Sequence, residues 1–320
     1  VRDVEKGTFT IDKYFKDKNL INKLNIYADD IKVDGSILLL RLMNQNKDNF
    51  YSENEEALIF NDMFKWIKFK LDVNYPDRPI SDYSYFMTDD NIDEISRVIS
   101  AFGTGITKFN IVDVAPESIS SSIPKKLLQD IISKLEQSHA DKKKNDIVES
   151  AKIMFRSSRK DFMIFEIDNE SNIKSKTIKF NHGNDNVFYN LSEESDGTVR
   201  ILDLLEILFD TQKDKVYIID EIDRCLHPQL TFKFVETFLQ LAAERNIQLI
   251  VTTHESRLPD FELLRRDEIW FVDKDNEGAS KLYSLEEYNS RFDCKIDKAY
   301  LDGRYGGVPL FNTIFPIRED

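Results

Sequence analysis

The feature that most constrains this sequence is a short apolar run that ends in two acids. Residues 216–219 are apolar without a break, and Asp220 and Glu221 follow them directly. A short apolar run bounded by polar residues predicts a strand that is buried on both faces. In open α/β sheets, ligands bind at the carboxyl ends of the strands. The pattern favours a ligand site at this end of the strand, and the alternative is a buried strand that happens to meet an acidic turn.

A second segment lies upstream, where residues 191–198 lead into an apolar helix and include Ser195, Asp196 and Gly197. A helix N-terminus offers unpaired N–H groups and the positive end of the helix dipole, and both favour an anion. The segment is therefore a candidate anion site. The alternative is an ordinary N-cap, in which Ser195 or Asp196 binds the first turn of its own helix.

A third segment lies downstream, where the apolar residues 248–251 lead through two threonines to His254. This run predicts a second strand, one strand–helix–strand unit after Glu221. Because ligands gather at the carboxyl ends of such strands, we expect His254 to reach the same site as the two acids.

These three segments, in this order, resemble the signature, Walker B and switch-histidine elements of the C-terminal half of an ABC-type ATPase. The closer resemblance is to the stand-alone ATPases of the AAA_15/AAA_21 group, which are relatives of the OLD and RecF/SMC-like ATPases. Residues 264–272, 278–284 and 303–309 also look like that group. The resemblance therefore extends from about residue 190 to residue 315 and is looser before that.

The resemblance implies a fold and a set of roles. The fold would be α/β, with an ABC-type ATPase core of mostly parallel sheet and flanking helices, additional antiparallel strands and a helical arm. Asp220 would hold Mg²⁺, and Glu221 would position or activate the water that attacks ATP. His254 would reach the γ-phosphate.

The remaining residues are implied to contact nucleotide across a dimer. They are Ser195, Asp196, Gly197, Thr198, Asp223 and His227. Gly197 would allow a close approach of the backbone to a phosphate. His227 would touch the partner's site, or it would cap the helix that begins near residue 228.

The sequence divides into three predicted parts: a helical arm (1–110), a mixed strand–helix part of the ATPase core (111–190), and a C-terminal core that carries the motifs (191–320). The aromatic-rich residues 60–69 are expected to be core, since aromatic side chains dominate cores. Residues 89–101 predict a helix capped by Asp89 or Asp90. Strands are predicted within three segments, 153–155, 162–167 and 176–180.

No segment of the sequence matches a phosphate loop. Ten glycines are present, and none fits the pattern Gly-x-x-x-x-Gly-Lys-[Ser/Thr]. Residues 103–108 come nearest, but a glycine turn is favoured there. The chain also begins with Val1 rather than Met. We therefore expect an N-terminal piece with the loop to be missing, and we expect these 320 residues to bind ATP poorly.

Charge and cysteine content restrict the partners. The net charge of −14 argues against a surface that is basic all over. A local cluster, Arg156, Arg159 and Lys160, is a weak candidate for DNA contact. Cys225 and Cys294 match no metal spacing and are expected to be free thiols in the cytoplasm. No apolar run has membrane-spanning length and no signal peptide is visible, so no membrane partner is expected.

The resemblance implies an ATPase that works as a nucleotide-sandwich homodimer or higher homo-oligomer. Such proteins are linked to phage defence or DNA processing, often beside a nuclease or toxin subunit. The alternative is a non-hydrolysing, ATP-sensing scaffold that assembles a nuclease or toxin partner. The acid pair and His254 argue against it, because a binding module needs no water-activating acid. A nuclease site within this chain is a third hypothesis, and no acid cluster beyond Asp220 and Glu221 supports it.

Overall fold

The structure is a computed structural model. It describes residues 2–3, 6, 8–11, 13–32, 34, 36–76, 83–87, 92–114, 123–144, 151–158, 160–168, 172–184, 186–259, 263–275, 277–288 and 296–308. The predicted caps Asp89 and Asp90, and also Arg159 and Cys294, lie outside these residues.

The helices of the described chain include most of those that the sequence predicts. They are α1 (Lys18–Ile31), α2 (Leu39–Met43), α3 (Asp48–Glu53), α4 (Leu58–Phe69), α5 (Ile92–Ala101), α6 (Lys125–Lys144), α7 (Asp196–Phe209), α8 (Pro228–Arg245) and α9 (Ile296–Leu301).

The strands of the described chain form four sheets. They are β1 (Arg2–Asp3), β2 (Thr8–Phe9), β3 (Leu71–Asn74), β4 (Lys108–Asp113), β5 (Ala151–Ser158), β6 (Asp161–Ile167), β7 (Ile173–Asn181), β8 (Tyr189–Asn190), β9 (Val216–Ile219), β10 (Gln248–Val251), β11 (Trp270–Lys274) and β12 (Ser280–Ser284). The predicted strands of residues 153–155, 162–167 and 176–180 are confirmed as β5, β6 and β7.

The α/β fold class is confirmed, because the described chain contains helices, a parallel sheet and an antiparallel sheet. The parallel sheet has the order β10-β9-β3, and the antiparallel sheet has the order β4-β7-β6-β5, with β8 paired to β7. Backbone hydrogen bonds between β9 and each of its neighbours advance in step, for example Asp220 N to Asn74 O at 2.9 Å and Thr252 N to Ile219 O at 3.0 Å. The strand that carries the acid pair is thus central, as a ligand-binding strand of an open sheet should be.

The parallel sheet is buried on one face rather than on both. Tyr217 and Ile219 are 2% and 0% exposed. On the opposite face Ile218 is half-buried, and Val73 and Ile250, its neighbours across the sheet, are 41% and 46% exposed. The prediction of a strand buried on both faces is therefore wrong for one face, because that side of the sheet is not fully covered.

The chain divides into two compact units. The first comprises residues 1–73, 212–218 and 246–250, and the second comprises residues 74–211, 219–245 and 251–320. The first unit contains most of β3, β9 and β10, and the last residue of each of these strands belongs to the second unit. All of the candidate site residues belong to the second unit.

The core of the first unit forms around α1. Its buried side chains recur at Leu20, Leu24, Ala28 and Ile31, which is the spacing of one helix face. In contrast, α4 has no buried residue within the described chain. The prediction that its aromatic-rich stretch is core is wrong for Trp66, which is 45% exposed, whereas Phe60 is partly buried against the same cluster as α1.

The core of the second unit is organised around α7. Nine of its residues are buried, from Val199 to Leu208. The helix α6 packs on the antiparallel sheet through Ile131 and Leu135, which contact a cluster that includes Phe165 and Ile167. The hairpin β11–β12 and α9 share a further cluster around Phe271 and Tyr305. Because most of α7 is buried in this core, its first turn, which carries candidate site residues, has a defined position.

Candidate functional site

A threonine hydroxyl joins the two acids at the carboxyl edge of the parallel sheet. Thr252 follows β10 directly and lies beside Asp220, which follows β9. The Thr252 hydroxyl donates to Asp220 Oδ1 at 2.5 Å and accepts the N–H of Glu221 at 2.8 Å. One side chain therefore sets the orientation of the Asp220 carboxylate and anchors the backbone of Glu221. Thr252 was not among the site residues that the sequence predicted.

Glu221 has an unusual backbone conformation. Its φ is 48°, in the left-handed region that costs a residue with a side chain about 1–2 kcal/mol. Its carbonyl accepts a hydrogen bond from Arg200 Nη2 at 2.9 Å and another from the Arg224 N–H at 3.1 Å. The carboxylate is 41% exposed, and Arg224 Nη1 lies 3.9 Å from it. The backbone is thus held while the carboxylate stays accessible to solvent.

His254 lies in the same group of loops. Its backbone N–H donates a long hydrogen bond to Asp223 Oδ1, at 3.4 Å, and its side chain is exposed. Thr252, two residues before it, contacts both acids. The structure therefore brings Asp220, Glu221, Asp223 and the segment of His254 together, as the strand positions predicted.

The start of α7 is closed by an N-cap. Ser195 Oγ accepts the N–H of Thr198 at 3.0 Å and lies 2.8 Å from Thr198 Oγ1. Of the two interpretations that the sequence allowed for Ser195, the cap is the one that the structure contains. Asp196 pairs with Lys160 at 2.9 Å, so that a cation lies beside this carboxylate at the first turn.

Gly197 allows a close contact within the protein. A Cβ at this position would lie 2.8 Å from the carbonyl oxygen of Cys225, which is closer than real Cβ atoms come. The first turn of α7 therefore packs directly on the loop that follows the acid pair. In this structure the glycine serves that contact, and so the segments 195–198, 220–227 and 252–254 form one cluster.

His227 caps the helix that follows it. Its Nδ1 accepts the N–H of Gln229 at 3.2 Å, and its carbonyl accepts the N–H of Leu230 at 2.8 Å. Both bonds satisfy donors in the first turn of α8, which otherwise have no partner within the helix. The ring is exposed. Of the two interpretations that the sequence allowed, the cap of α8 is present.

The basic cluster is not a free cationic surface at Arg156. This side chain is 6% exposed, and it donates to Asp203 Oδ1 at 2.6 Å and to the Tyr83 hydroxyl at 3.0 Å. Burial, and after it the charge of Asp203, raises the pKa of Tyr83 well above its ordinary value. Lys160 also binds the carbonyl of Glu194. Arg156 therefore does not offer the exposed charge that a nucleic-acid contact of this weak candidate cluster would need.

The donor set at the acids suits one kind of metal. No group of three or more His, Cys, Asp or Glu side chains that could hold a metal ion occurs among the described residues. Mg²⁺ does not require such a group, because it takes one or two carboxylates and completes its octahedron with phosphate oxygens and water. The Asp220 carboxylate fits this mode of Mg²⁺ binding.

No helix in the described ranges is both long enough and apolar enough to cross a membrane.

Comparison with known proteins identifies the family. Residues 82–258 match the family described as "AAA domain, putative AbiEii toxin, Type IV TA system". This match covers more than half of the chain and includes every candidate site residue from Ser195 to His254, so the chain belongs to that AAA family. No curated protein matches the chain.

Proposed function

We propose that this AAA-family protein hydrolyses ATP with Mg²⁺ and that Asp220 and Glu221 have different roles in the reaction. Asp220 holds the metal, and Glu221 positions or activates the attacking water. The observation that carries the proposal is the Thr252 hydroxyl, which joins the Asp220 carboxylate to the Glu221 backbone at the ligand-binding edge of the sheet. In this arrangement the Asp220 carboxylate is oriented by a hydrogen bond, and the Glu221 carboxylate is accessible to solvent.

The proposal assigns the other residues to the γ-phosphate and the dimer interface. His254 contacts the γ-phosphate from the carboxyl end of the neighbouring strand. The interface residues are Ser195, Asp196, Gly197, Thr198, Asp223 and His227, and they face a nucleotide that another copy of the chain holds. The exposed rings of His227 and His254 and the exposed Ser195 support this assignment, since they are open to a partner.

The triphosphate requires a phosphate loop, which in this proposal comes from a segment outside residues 1–320. None of the ten glycines of the sequence fits that pattern. When bound, ATP would supply the electrophilic phosphorus, and Mg²⁺ would neutralise negative charge on the phosphate oxygens. The site itself supplies the carboxylates of the acid pair, the oriented hydroxyl of Thr252 and the imidazole of His254.

The family description favours a toxin–antitoxin setting. We propose that the protein acts in phage defence or DNA processing and that the ATP-bound dimer engages a nuclease or toxin subunit. The net charge of −14 and the buried Arg156 make broad contact with DNA by this chain less favourable than contact with a protein partner.

Calorimetry tests the nucleotide site. Mg-ATP is titrated into the chain of residues 1–320 and into the same chain extended by a segment with the Gly-Lys loop. We expect weak binding by the first and tight binding by the second. Tight binding by residues 1–320 alone would contradict the proposal that the loop lies elsewhere.

Turnover of the extended protein tests the acid. Glu221→Gln should lower kcat by at least about 100-fold while ATP binding is retained, because an amide cannot accept the proton of the water. The matched control is Glu255→Gln, since the Glu255 carboxylate accepts a local hydrogen bond from the Arg257 N–H at 3.0 Å. Equal turnover in Glu221→Gln and wild type would exclude this role, and binding without turnover in wild type would favour the ATP-sensing scaffold.

A further inference from the structure

A buried arginine on α7 contacts the backbone of the acid pair. Arg200 is fully buried, at 0% exposure. Its Nη2 donates to the Glu221 carbonyl at 2.9 Å and lies 3.5 Å from the Asp220 carbonyl. A buried charged donor is costly to desolvate, so the hydrogen bonds that Nη2 makes offset part of that cost. The bond to Glu221 is the shorter of these two and defines the contact.

Glu221 is held on both sides of its Cα. The Thr252 hydroxyl fixes its N–H at 2.8 Å, and Arg200 fixes its carbonyl. These two anchors constrain φ and ψ of a residue whose φ is 48°. Because the positions of the backbone N and carbonyl carbon set the direction of the Cα–Cβ bond, the anchors also set the direction in which the Glu221 side chain leaves the backbone.

The same face of α7 carries Gly197 and Arg200. They are three residues apart and therefore neighbours on the helix surface. Gly197 packs on the carbonyl of Cys225, and Arg200 binds that of Glu221. A shift of the first turns of α7 would therefore move both ends of the loop after the acids.

We propose that Arg200 is a positioning residue, which holds Glu221 in the left-handed conformation and couples the first turns of α7 to the direction of the Glu221 carboxylate. The catalytic consequence rests on the proposed function, whereas the coupling itself does not. A nucleotide contact at Ser195–Thr198 would be transmitted to the Glu221 backbone through this guanidinium.

Two substitutions of Arg200 test the coupling. Another arginine that contacts α7, Arg245, serves as the control. Arg200→Met keeps much of the volume and removes the donors, whereas Arg200→Lys keeps one cationic donor. Arg245 on α8 binds the carbonyls of Leu208 and Asp210 at 2.6 and 2.8 Å, at the far end of α7. Arg245→Met therefore removes a comparable contact to the same helix without touching the acids.

The first measurement is amide hydrogen exchange of residues 219–227 without nucleotide. Loss of a hydrogen bond from a charged donor should speed exchange of this segment by about tenfold or more in Arg200→Met, with an intermediate effect in Arg200→Lys. Arg245→Met should leave this segment unchanged and speed exchange near residue 209 instead. If Arg200→Met does not fold, the comparison of Arg200→Lys with Arg245→Lys decides.

The second measurement is steady-state ATP hydrolysis by the loop-bearing protein. Arg200→Met should lower kcat by about 100-fold with KM changed little, because a small displacement of a catalytic group has such an effect, and Arg200→Lys should regain part of kcat. Unchanged exchange at 219–227 in the folded Arg200 variants would overturn the proposal whatever the turnover. Absence of hydrolysis by wild type would overturn the proposed function alone, since the exchange result still stands.

Discussion

At the scale of single residues, the site depends on side chains that bind the backbone. The sequence identified the acids because two carboxylates after an apolar run are distinctive, and it identified His254 by its place after the next strand. Thr252 gave a weaker signal, since Thr252 and Thr253 are adjacent and only the register of β10 decides which hydroxyl meets Asp220. That register is set by bonds such as Thr252 N to Ile219 O, at 3.0 Å, between distant segments.

Replacement of the bridging hydroxyl tests its role. Thr252→Val keeps the shape of the side chain but removes both hydrogen bonds, and it should lower the free energy of unfolding by about 1–3 kcal/mol. It should also lower kcat of the loop-bearing protein by about tenfold or more, because the Asp220 carboxylate and the Glu221 backbone lose a shared anchor. Chemical denaturation and steady-state kinetics measure the two effects.

The neighbouring residue provides the control for that substitution. The Thr253 hydroxyl accepts the N–H of Glu255 at 3.0 Å, two residues along the same loop. Thr253→Val should therefore leave kcat close to the wild-type value. An equal loss of turnover in both variants would mean that the loop as a whole, rather than the hydroxyl of Thr252, supports the acids.

At the scale of elements, the sequence pattern predicted those helices and strands whose formation depends on local contacts. The helix α7 follows from its apolar spacing and its cap at Ser195, and β9 follows from an unbroken apolar run. The strand β3 was not predicted, because residues 71–74 continue an apolar helical pattern and only pairing with β9 makes them a strand. The burial of α4 could not be predicted in this way, since an aromatic-rich pattern does not reveal whether another element covers the helix.

The ion pair between β5 and α7 is the element contact with the clearest energetic consequence. Arg156 and Asp203 have side-chain exposures of 6% and 0%, so removal of one partner leaves a buried charge. Arg156→Met or Asp203→Leu alone should lower the free energy of unfolding by about 3–5 kcal/mol, whereas the double variant should lose much less. Urea denaturation of all four proteins completes the double-mutant cycle.

The cycle also shows whether Arg156 and Asp203 act as an isolated ion pair or as part of a network that includes Tyr83. Tyr83 binds the same guanidinium at 3.0 Å, so it remains after the double substitution as a buried hydroxyl. A double variant as unstable as the worse single variant would show that the network includes Tyr83 and does not act as an isolated pair. Adding Tyr83→Phe to the double variant should then restore stability.

At the scale of the whole molecule, the strong acidity bears on the proposed dimer. Each chain carries a net charge of −14, so two copies repel one another at long range. The Debye length falls from about 30 Å at 0.01 M salt to about 8 Å at 0.15 M. Screening should therefore act on the repulsion between whole chains more strongly than on close contacts around a bound nucleotide.

We accordingly expect the ATP-bound dimer of loop-bearing Glu221→Gln to tighten as salt rises across that range. The dissociation constant should fall by about tenfold, because long-range repulsion is screened while the buried contacts persist. Sedimentation velocity with Mg-ATP measures it, and the same protein without nucleotide, which should stay monomeric, is the control. A dimer that weakens with salt would mean that complementary surface charges dominate the interface. No dimer at any salt concentration would exclude the nucleotide sandwich, since the Gln variant should lose its ATP by hydrolysis at least about 100-fold more slowly than wild type.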